Sequence, residues 1–158
     1  RKNILKECNP HKIEGGMAEA LNGADIFIGV SGPGIVTEEM VRNMNKDAIV
    51  LAMANPVPEI YPDEAKRAGA RVVGTGRSDF PNQVNNVSVF PGLFRGALDV
   101  RAKKITDNMK LAAARAIADA VETIDEDNIL PHAFDLSVSK KVAEAVAEAA
   151  RKDGVARI

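Results

Sequence analysis

Three short apolar runs organise the first half of the chain. They cover residues 25–30, 47–54 and 71–75, and each run is bounded by glycine or polar residues. Continuous apolar runs of this length are typical of buried strands in a parallel sheet. Because the segments between them have helical features, the pattern predicts strands that alternate with helices.

Helix signals stand before and between these runs. Residues 16–22 and residues 62–68 have helical composition, and each segment is followed by a glycine that can end a helix. Thr37 precedes two glutamates, which is the pattern of an N-cap followed by acidic residues in the first turn. The sequence therefore predicts helices on both sides of the second strand.

The second half of the chain is rich in alanine after Pro91. Apolar residues keep helical spacing along three stretches, which are 98–105, 109–121 and 138–149. This pattern predicts a helical tail over about 97–158 that packs on the sheet. Its small residues would allow close helix packing, either against the sheet or against a second subunit.

A long polar connection, residues 74–96, follows the third predicted strand. A simple turn would need only a few residues. Asn85 and Asn86 offer amide donors and acceptors without a charge to desolvate, so they could hold a carboxylate or a carboxamide. The alternative is a loop stabilised by ordinary Asx-turns.

Polar residues also follow the first two predicted strands. Ser31 and Gly32 come after the first strand, and Asn55 comes after the second, where two nearby prolines stiffen the chain. Gly32 would let the backbone approach a ligand closely, and Ser31 could bond a ribose or phosphate oxygen. Ligands of open α/β sheets bind at the carboxyl ends of strands, so we expect one shared pocket there. A tight turn without a ligand is the alternative for residues 31–34.

Composition narrows the choice of class. The 158 residues include 46% hydrophobic and 27% charged residues, which is ordinary for one soluble domain. The net charge of −1 gives no general attraction to nucleic acid or to an anionic membrane. Cys8 is the only cysteine, so a disulfide framework is excluded. With no apolar run near the roughly 20 residues of a membrane span, we expect a cytoplasmic protein.

Three sequence blocks carry a family resemblance. They are GADIFIGVSGPG (residues 23–34), AMANPVPEI (residues 52–60) and TGRSDFPNQVNNVSVFPG (residues 75–92). Together they resemble the nicotinamide-binding domain of malic enzymes of the bacterial and archaeal type, in the family's order and at plausible spacing. The resemblance implies an α/β fold, with a Rossmann-like parallel sheet, flanking helices and a helical C-terminal tail. It covers nearly the whole chain, so residues 1–158 would be the later portion of an NAD(P)-binding domain.

The same resemblance implies an activity. Malic enzymes oxidise malate with NAD or NADP to oxaloacetate, and a divalent metal (Mg or Mn) helps to decarboxylate it, which finally gives pyruvate and CO2. The family's acid–base residues and metal ligands lie upstream, so we expect no catalytic or metal-binding residue in this chain and no activity from it alone. The resemblance also implies a homo-oligomer, a dimer or larger. The choice between NAD and NADP cannot be read from these residues.

Site residues carry over block by block. Asn55 and Asn86 match the family's substrate and nicotinamide contacts, Asn85 matches a neighbouring contact, and Ser31 with Gly32 matches the wall of the cofactor site. Such residues would position C2 of malate against the nicotinamide ring.

The chain opens with Arg1–Asn3, without a methionine and without the pattern of an opening strand. We therefore expect the first βαβ unit, with its glycine fingerprint, and an N-terminal catalytic domain to lie earlier in a larger protein. Two other readings stay open, a cofactor module of another NAD-dependent dehydrogenase and a non-catalytic binding or assembly domain. Asn85 and Asn86 favour malic enzyme over the first, because many dehydrogenases carry a histidine or lysine base instead.

Overall fold

A parallel sheet of three strands is the centre of the first of two units. The computed structural model describes residues 8–158, and the chain divides into the units Arg1–Thr75 and Gly76–Ile158. The strands are β1 (Ile26–Gly29), β2 (Ile49–Ala52) and β3 (Val72–Thr75), in the order β1-β2-β3 and all parallel. The predicted parallel α/β sheet is confirmed. The expectation drawn from Arg1–Asn3 lies outside the described residues.

Within residues 8–75, three short helices accompany this sheet, namely α1 (Met17–Leu21), α2 (Glu38–Arg42) and α3 (Pro62–Arg67). Thr37 caps α2 as predicted, because its Oγ1 accepts a hydrogen bond of 3.3 Å from the amide of Met40. Gly23 has φ +72° after α1, which is the left-handed conformation expected of a glycine at a helix end.

Only one face of β1 is buried. Phe27 belongs to the core of the first unit together with Val50 and Val73, which lie on β2 and β3. Ile26 and Ile28, whose side chains point to the opposite face, are 54% and 62% exposed. The prediction of a buried strand is therefore wrong for these two positions. Successive side chains of a strand point to opposite faces of the sheet, and in β1 only the face that carries Phe27 packs on the core.

The second unit is helical. It contains a 3₁₀ turn (Asn86–Ser88) followed by α4 (Phe90–Asp99), α5 (Asp107–Ala118) and α6 (Leu136–Lys152). Its core is separate from that of the first unit and is built from α4, α5 and α6. None of the helices in residues 8–158 is long and apolar enough to cross a membrane. That the helical tail packs on the sheet stays a prediction.

The helix predicted through residues 98–105 ends early, at Asp99. Arg101 has φ +48°, which a helix cannot continue through. Backbone bonds explain the break, since Lys103 N donates to Val155 O and Arg157 N donates to Val100 O, both near 3.0 Å. The chain end thus pairs with this segment, and that long-range pairing overrides the local helical spacing.

Helix α4 packs closely on α6 through two glycines. A Cβ atom at Gly92 would lie 2.6 Å from Val142 Cβ and 2.7 Å from the carbonyl oxygen of Ser139. A Cβ atom at Gly96 would overlap the carbonyl oxygen of Ala143. Glycines four residues apart share one helix face, so together they let the two backbones approach.

Helix α5 is joined to the end of α6 by polar contacts. Thr106 Oγ1 accepts a hydrogen bond of 3.2 Å from Met109 N and donates to Asp153, whose other oxygen accepts from Asn108 at 2.8 Å. Hydrogen bonds from Thr106 and Asn108 lower the pKa of Asp153, so this carboxylate stays ionised. Thr106 is the N-cap of α5, and the helix predicted from the apolar spacing over 109–121 is confirmed.

The substitution Gly96→Ala tests the close packing of α4 on α6. Alanine in a helix interior is normally more stable than glycine by about 1 kcal/mol. Overpacking against a fixed backbone carbonyl costs about 1–3 kcal/mol, so we expect a lower melting temperature in thermal unfolding of the protein. Arg95→Gln on the exposed face of the same helix is the control, since it removes only an exposed ion pair with Asp99, and it should change stability by about 0.5 kcal/mol or less. A rise in melting temperature for Gly96→Ala would contradict the close contact.

Candidate functional site

The turn that leaves β1, residues 31–34, presents an open backbone and a hydroxyl. Ser31 is exposed, and apart from Gly32 and its two chain neighbours no atom of residues 8–158 lies within 4 Å of the place that a Cβ of Gly32 would occupy. Gly34 has φ +64°, a conformation that favours glycine. The turn therefore has open space beside Gly32, and its role in ligand binding stays a prediction.

Glu59 holds this turn from the inside. Its side chain is 0% exposed. Oε1 accepts hydrogen bonds from the amide and the hydroxyl of Ser31 at 2.8 and 3.1 Å, and Oε2 accepts from the amide of Ala54 at 3.0 Å. One carboxylate thus bridges the segment after β1 and the segment after β2. In the sequence, Glu59 stands only as one residue of the block 52–60 and is not among the predicted site residues. The available signal was an acidic residue between Pro58 and Ile60, which are both buried.

Opposing effects set the ionisation of Glu59. Burial by itself raises the pKa of a carboxyl group, because it penalises the charged form. Hydrogen bonds from the amides of Ser31, Ala54 and Glu59 itself, and from the Ser31 hydroxyl, outweigh that effect and lower the pKa of Glu59. The side chain is therefore a carboxylate at neutral pH.

Asn55 lies directly after the residue that Glu59 holds. The Asn55–Pro56 peptide bond is cis. The Asn55 side chain is exposed and makes no hydrogen bond to any other residue of 8–158. Its amide is thus available to a ligand at the exit of β2.

Three asparagines of the second unit have different surroundings. Asn82 is 6% exposed, donates to the carbonyl of Glu126 and accepts from the amide of Ile129, each at 2.9 Å. Asn85 accepts a hydrogen bond of 3.0 Å from Val87 N, which caps the 3₁₀ turn. The Asn86 side chain is exposed and has no hydrogen-bond partner within the described part of the chain. Asn82 and Asn85 therefore have structural roles, whereas the amide of Asn86 is available.

Charge in the polar connection is paired locally. Arg77 binds Asp79 through two hydrogen bonds of 2.9 and 2.7 Å, and its guanidinium lies 5.8 Å from the centre of the Phe80 ring. The Arg77 hydrogen bonds lower the pKa of Asp79. Because this ion pair satisfies itself, the connection offers neutral amides as its available polar groups.

The candidate residues belong to both units. Ser31, Gly32 and Asn55 lie in the first unit, whereas Asn85 and Asn86 lie in the second. That all of them meet in one pocket stays a prediction. A pocket of about 390 Å³ in the first unit is lined in part by Gly34, Pro58 and Glu59, but Ser31 and Asn55 are not among its lining residues.

The candidate residues of the first unit fit a dinucleotide. The open turn at Gly32 admits a close ligand, and the Ser31 hydroxyl and the Asn55 amide can bond its polar groups. At the end of β3, the hydroxyl of Thr75 is buried and has no hydrogen-bond partner among residues 8–158. A buried hydroxyl normally has one, so this group also suits a polar ligand at the carboxyl edge of the sheet. The described residues contain no group of three histidine, cysteine or acidic side chains that could hold a metal ion.

Comparison with known proteins gives one consistent family. Residues 14–151 match the family model described as "Malic enzyme, NAD binding domain". A bifunctional malic/malolactic enzyme of Bacillus subtilis is 54% identical over 160 residues, and an NAD-dependent malic enzyme of Geobacillus stearothermophilus is 53% identical over 151 residues. The match covers 100% of this chain and 39% of the Bacillus protein, and 94% of this chain and 31% of the Geobacillus protein. Proteins named NADP-dependent malic enzymes also match.

The fold agrees with a solved structure of the same family. The crystal structure of the malic enzyme from Pyrococcus horikoshii Ot3 superposes with a TM-score of 0.90 at 57% identity, covering 94% of this chain and 35% of that one. The chain thus spans between 31% and 39% of the length of these proteins. Its three parallel strands, its flanking helices and the family model that matches most of its length agree, and the chain belongs to the malic enzyme family as an NAD-binding domain.

Proposed function

We propose that the full-length protein oxidatively decarboxylates malate to pyruvate and CO2 with NAD or NADP, and that this chain positions the cofactor and the substrate. The observation that supports it most directly is the state of Asn55 and Asn86. Both amides are exposed and lack a partner among the described residues, while the nearby Asn82 and Asn85 are bonded internally. In this proposal Asn55 and Asn86 contact malate and the nicotinamide, and Asn85 supports them by holding the 3₁₀ turn.

Neutral amides suit both ligands. Malate carries two carboxylates, which accept hydrogen bonds from amide N–H groups, and the nicotinamide carboxamide needs one donor and one acceptor. An asparagine supplies both without a charge that would have to be desolvated. Holding C2 and the ring in a near-attack geometry is what such contacts contribute to rate.

The remaining chemistry is divided between groups inside and outside this chain. A bound nicotinamide supplies the hydride acceptor, and a divalent metal such as Mg or Mn supplies the Lewis acid. The proposal places the metal ligands and the acid–base residues in another part of the protein. Within this chain, Ser31 and Gly32 form a wall of the cofactor site.

Two partners belong to the proposal, the N-terminal domain and a second copy in a homo-oligomer. An apolar stripe on α4, formed by Phe90, Phe94 and Leu98, supports the need for a partner because all three side chains are exposed. We also propose a cytoplasmic location. The free thiol of Cys8 fits a reducing compartment.

The activity is tested on the full-length protein with malate, Mg or Mn and each dinucleotide. We expect malate-dependent absorbance at the wavelength of reduced nicotinamide, with pyruvate and CO2 formed in equal amounts. Reduction of the dinucleotide by another hydroxy acid or amino acid, but not by malate, would instead support a different dehydrogenase. Absence of any turnover with retained dinucleotide binding would favour a binding or assembly domain.

Asn86→Ala tests the substrate-positioning role. A hydrogen bond to a charged carboxylate contributes about 1.5–3 kcal/mol, so kcat/KM for malate should fall roughly tenfold to a hundredfold. The melting temperature should change little, because the Asn86 side chain has no hydrogen-bond partner among residues 8–158.

Asn82→Ala is the matched comparison in the same connection. Its loss leaves the Ile129 amide and the Glu126 carbonyl without a partner, so we expect a lower melting temperature and a near-normal rate per folded active site. The reverse pattern, in which Asn86→Ala loses stability but keeps kcat/KM, would remove Asn86 from the proposed site.

A further inference from the structure

Glu59 joins the two segments that leave β1 and β2. In addition to its three side-chain hydrogen bonds, its carbonyl accepts from Val36 N, and the carbonyl of Pro58 accepts from Gly34 N, both at 3.0 Å. Gly29 makes room for the side chain, because a Cβ there would lie 2.6 Å from the carboxyl carbon of Glu59. The carboxylate thus occupies a place that the end of β1 leaves open for it.

Stability alone does not explain why a carboxylate is buried at this position. No lysine, arginine or histidine forms an ion pair with Glu59 within residues 8–158, so neutral donors alone must stabilise its charge. Buried charges without a counter-ion are destabilising, and an apolar side chain often packs at such a site at least as well. The carboxylate instead fixes the positions of three hydrogen-bond donors, two of which belong to Ser31.

That arrangement sets the direction of the Ser31 hydroxyl. An ionised carboxylate can only accept hydrogen bonds, so the Ser31 hydroxyl must donate its single proton to Glu59 Oε1. The lone pairs of this oxygen then remain for a second partner, and Ser31 is exposed. In this state Ser31 can accept from a hydroxyl or amide N–H group, but it cannot donate to a phosphate oxygen.

We propose that Glu59 is a positioning residue for dinucleotide binding, which holds the turn 31–34 and makes the Ser31 hydroxyl an acceptor for a ribose hydroxyl or carboxamide N–H of the cofactor. This inference rests on the proposed function and narrows it. Of the ribose and phosphate oxygens that the sequence left open for Ser31, it excludes the phosphate oxygen, which cannot donate a hydrogen bond. The same carboxylate holds Ala54 N, so it also fixes the backbone immediately before Asn55.

Binding of the reduced dinucleotide, without malate or metal, is the test. The full-length wild type, Glu59→Gln, Ser31→Ala and the double variant are titrated with NADH and NADPH by fluorescence, and each variant is also unfolded thermally. The dissociation constant is thereby measured independently of turnover. Steady-state KM values for dinucleotide and malate, together with kcat, are then measured on the same preparations.

Glu59→Gln should weaken dinucleotide binding roughly tenfold, because the glutamine NH2 group faces either the Ser31 or the Ala54 amide and one donor loses its acceptor. Ser31→Ala should weaken it severalfold, and it leaves both backbone donors of Glu59 in place. A neutral glutamine no longer compels the Ser31 hydroxyl to donate, since its NH2 group can also face Ser31, so Ser31→Ala should weaken binding less in the Glu59→Gln background than in the wild type. KM for the dinucleotide should rise more than kcat falls.

Glu64→Gln is the matched control. Glu64 lies five residues further on and accepts a single hydrogen bond of 3.1 Å from Tyr61 N, which a glutamine oxygen can also accept. The dissociation constant of the Glu64→Gln variant for NADH and NADPH should stay within about twofold of the wild-type value. Equal effects of Glu59→Gln and Glu64→Gln would overturn the proposal, as would independent effects of the Ser31 and Glu59 substitutions.

Two further outcomes are informative. If Glu59→Gln does not fold, the Ser31→Ala variant alone tests the proposal. Unchanged dinucleotide binding by Ser31→Ala would then overturn it. Failure of the proposed function has a different signature, since the wild type would then bind dinucleotide without oxidising malate. The binding measurements test Glu59 and Ser31 in either case.

Discussion

The buried carboxylate of Glu59, which only neutral donors stabilise, fixes the positions of the segments that leave β1 and β2 at the carboxyl edge of the sheet. Because Glu59 must keep its three hydrogen bonds, the turn after β1 and the end of β2 cannot move independently. The end of β1 must also be a glycine, since a side chain at Gly29 would displace the carboxylate. The conformation of these segments therefore depends on one interaction between Ser31 and Glu59, which lie 28 residues apart in sequence.

Asparagines serve two different purposes in this chain, and their partners distinguish them. Asn82 and Asn85 satisfy backbone groups, which is the ordinary use of this residue in turns and caps. Asn55 and Asn86 satisfy nothing within the described residues and are exposed. A polar connection that looks uniform in sequence is thus divided into structural amides and free amides, and the proposed site uses chiefly the free ones.

Much of this molecule can be read from local pattern, and the rest depends on long-range contacts. The three strands and the cap at Thr37 were predictable because burial and capping leave short-range signatures. The end of α4 at Asp99 was not, because it is set by pairing with residues 155–157 near the end of the chain. The role of Glu59 is not predictable from local pattern for the same reason. Its partner Ser31 lies on another strand exit, and nothing in the residues around Glu59 indicates that hydrogen bond.

The contact between α4 and α6 gives the proposed site a dependence on distant residues. Asn86 lies in the 3₁₀ turn that runs into α4, and α4 is held by Gly92 and Gly96 against the backbone of α6, near Ala143. The orientation of the Asn86 amide, which the proposed function places against the substrate, therefore depends on an apolar seam more than 50 residues further along the chain. Selection for turnover would then act on the size of side chains in that seam, so residues that never approach malate would evolve under catalytic constraint.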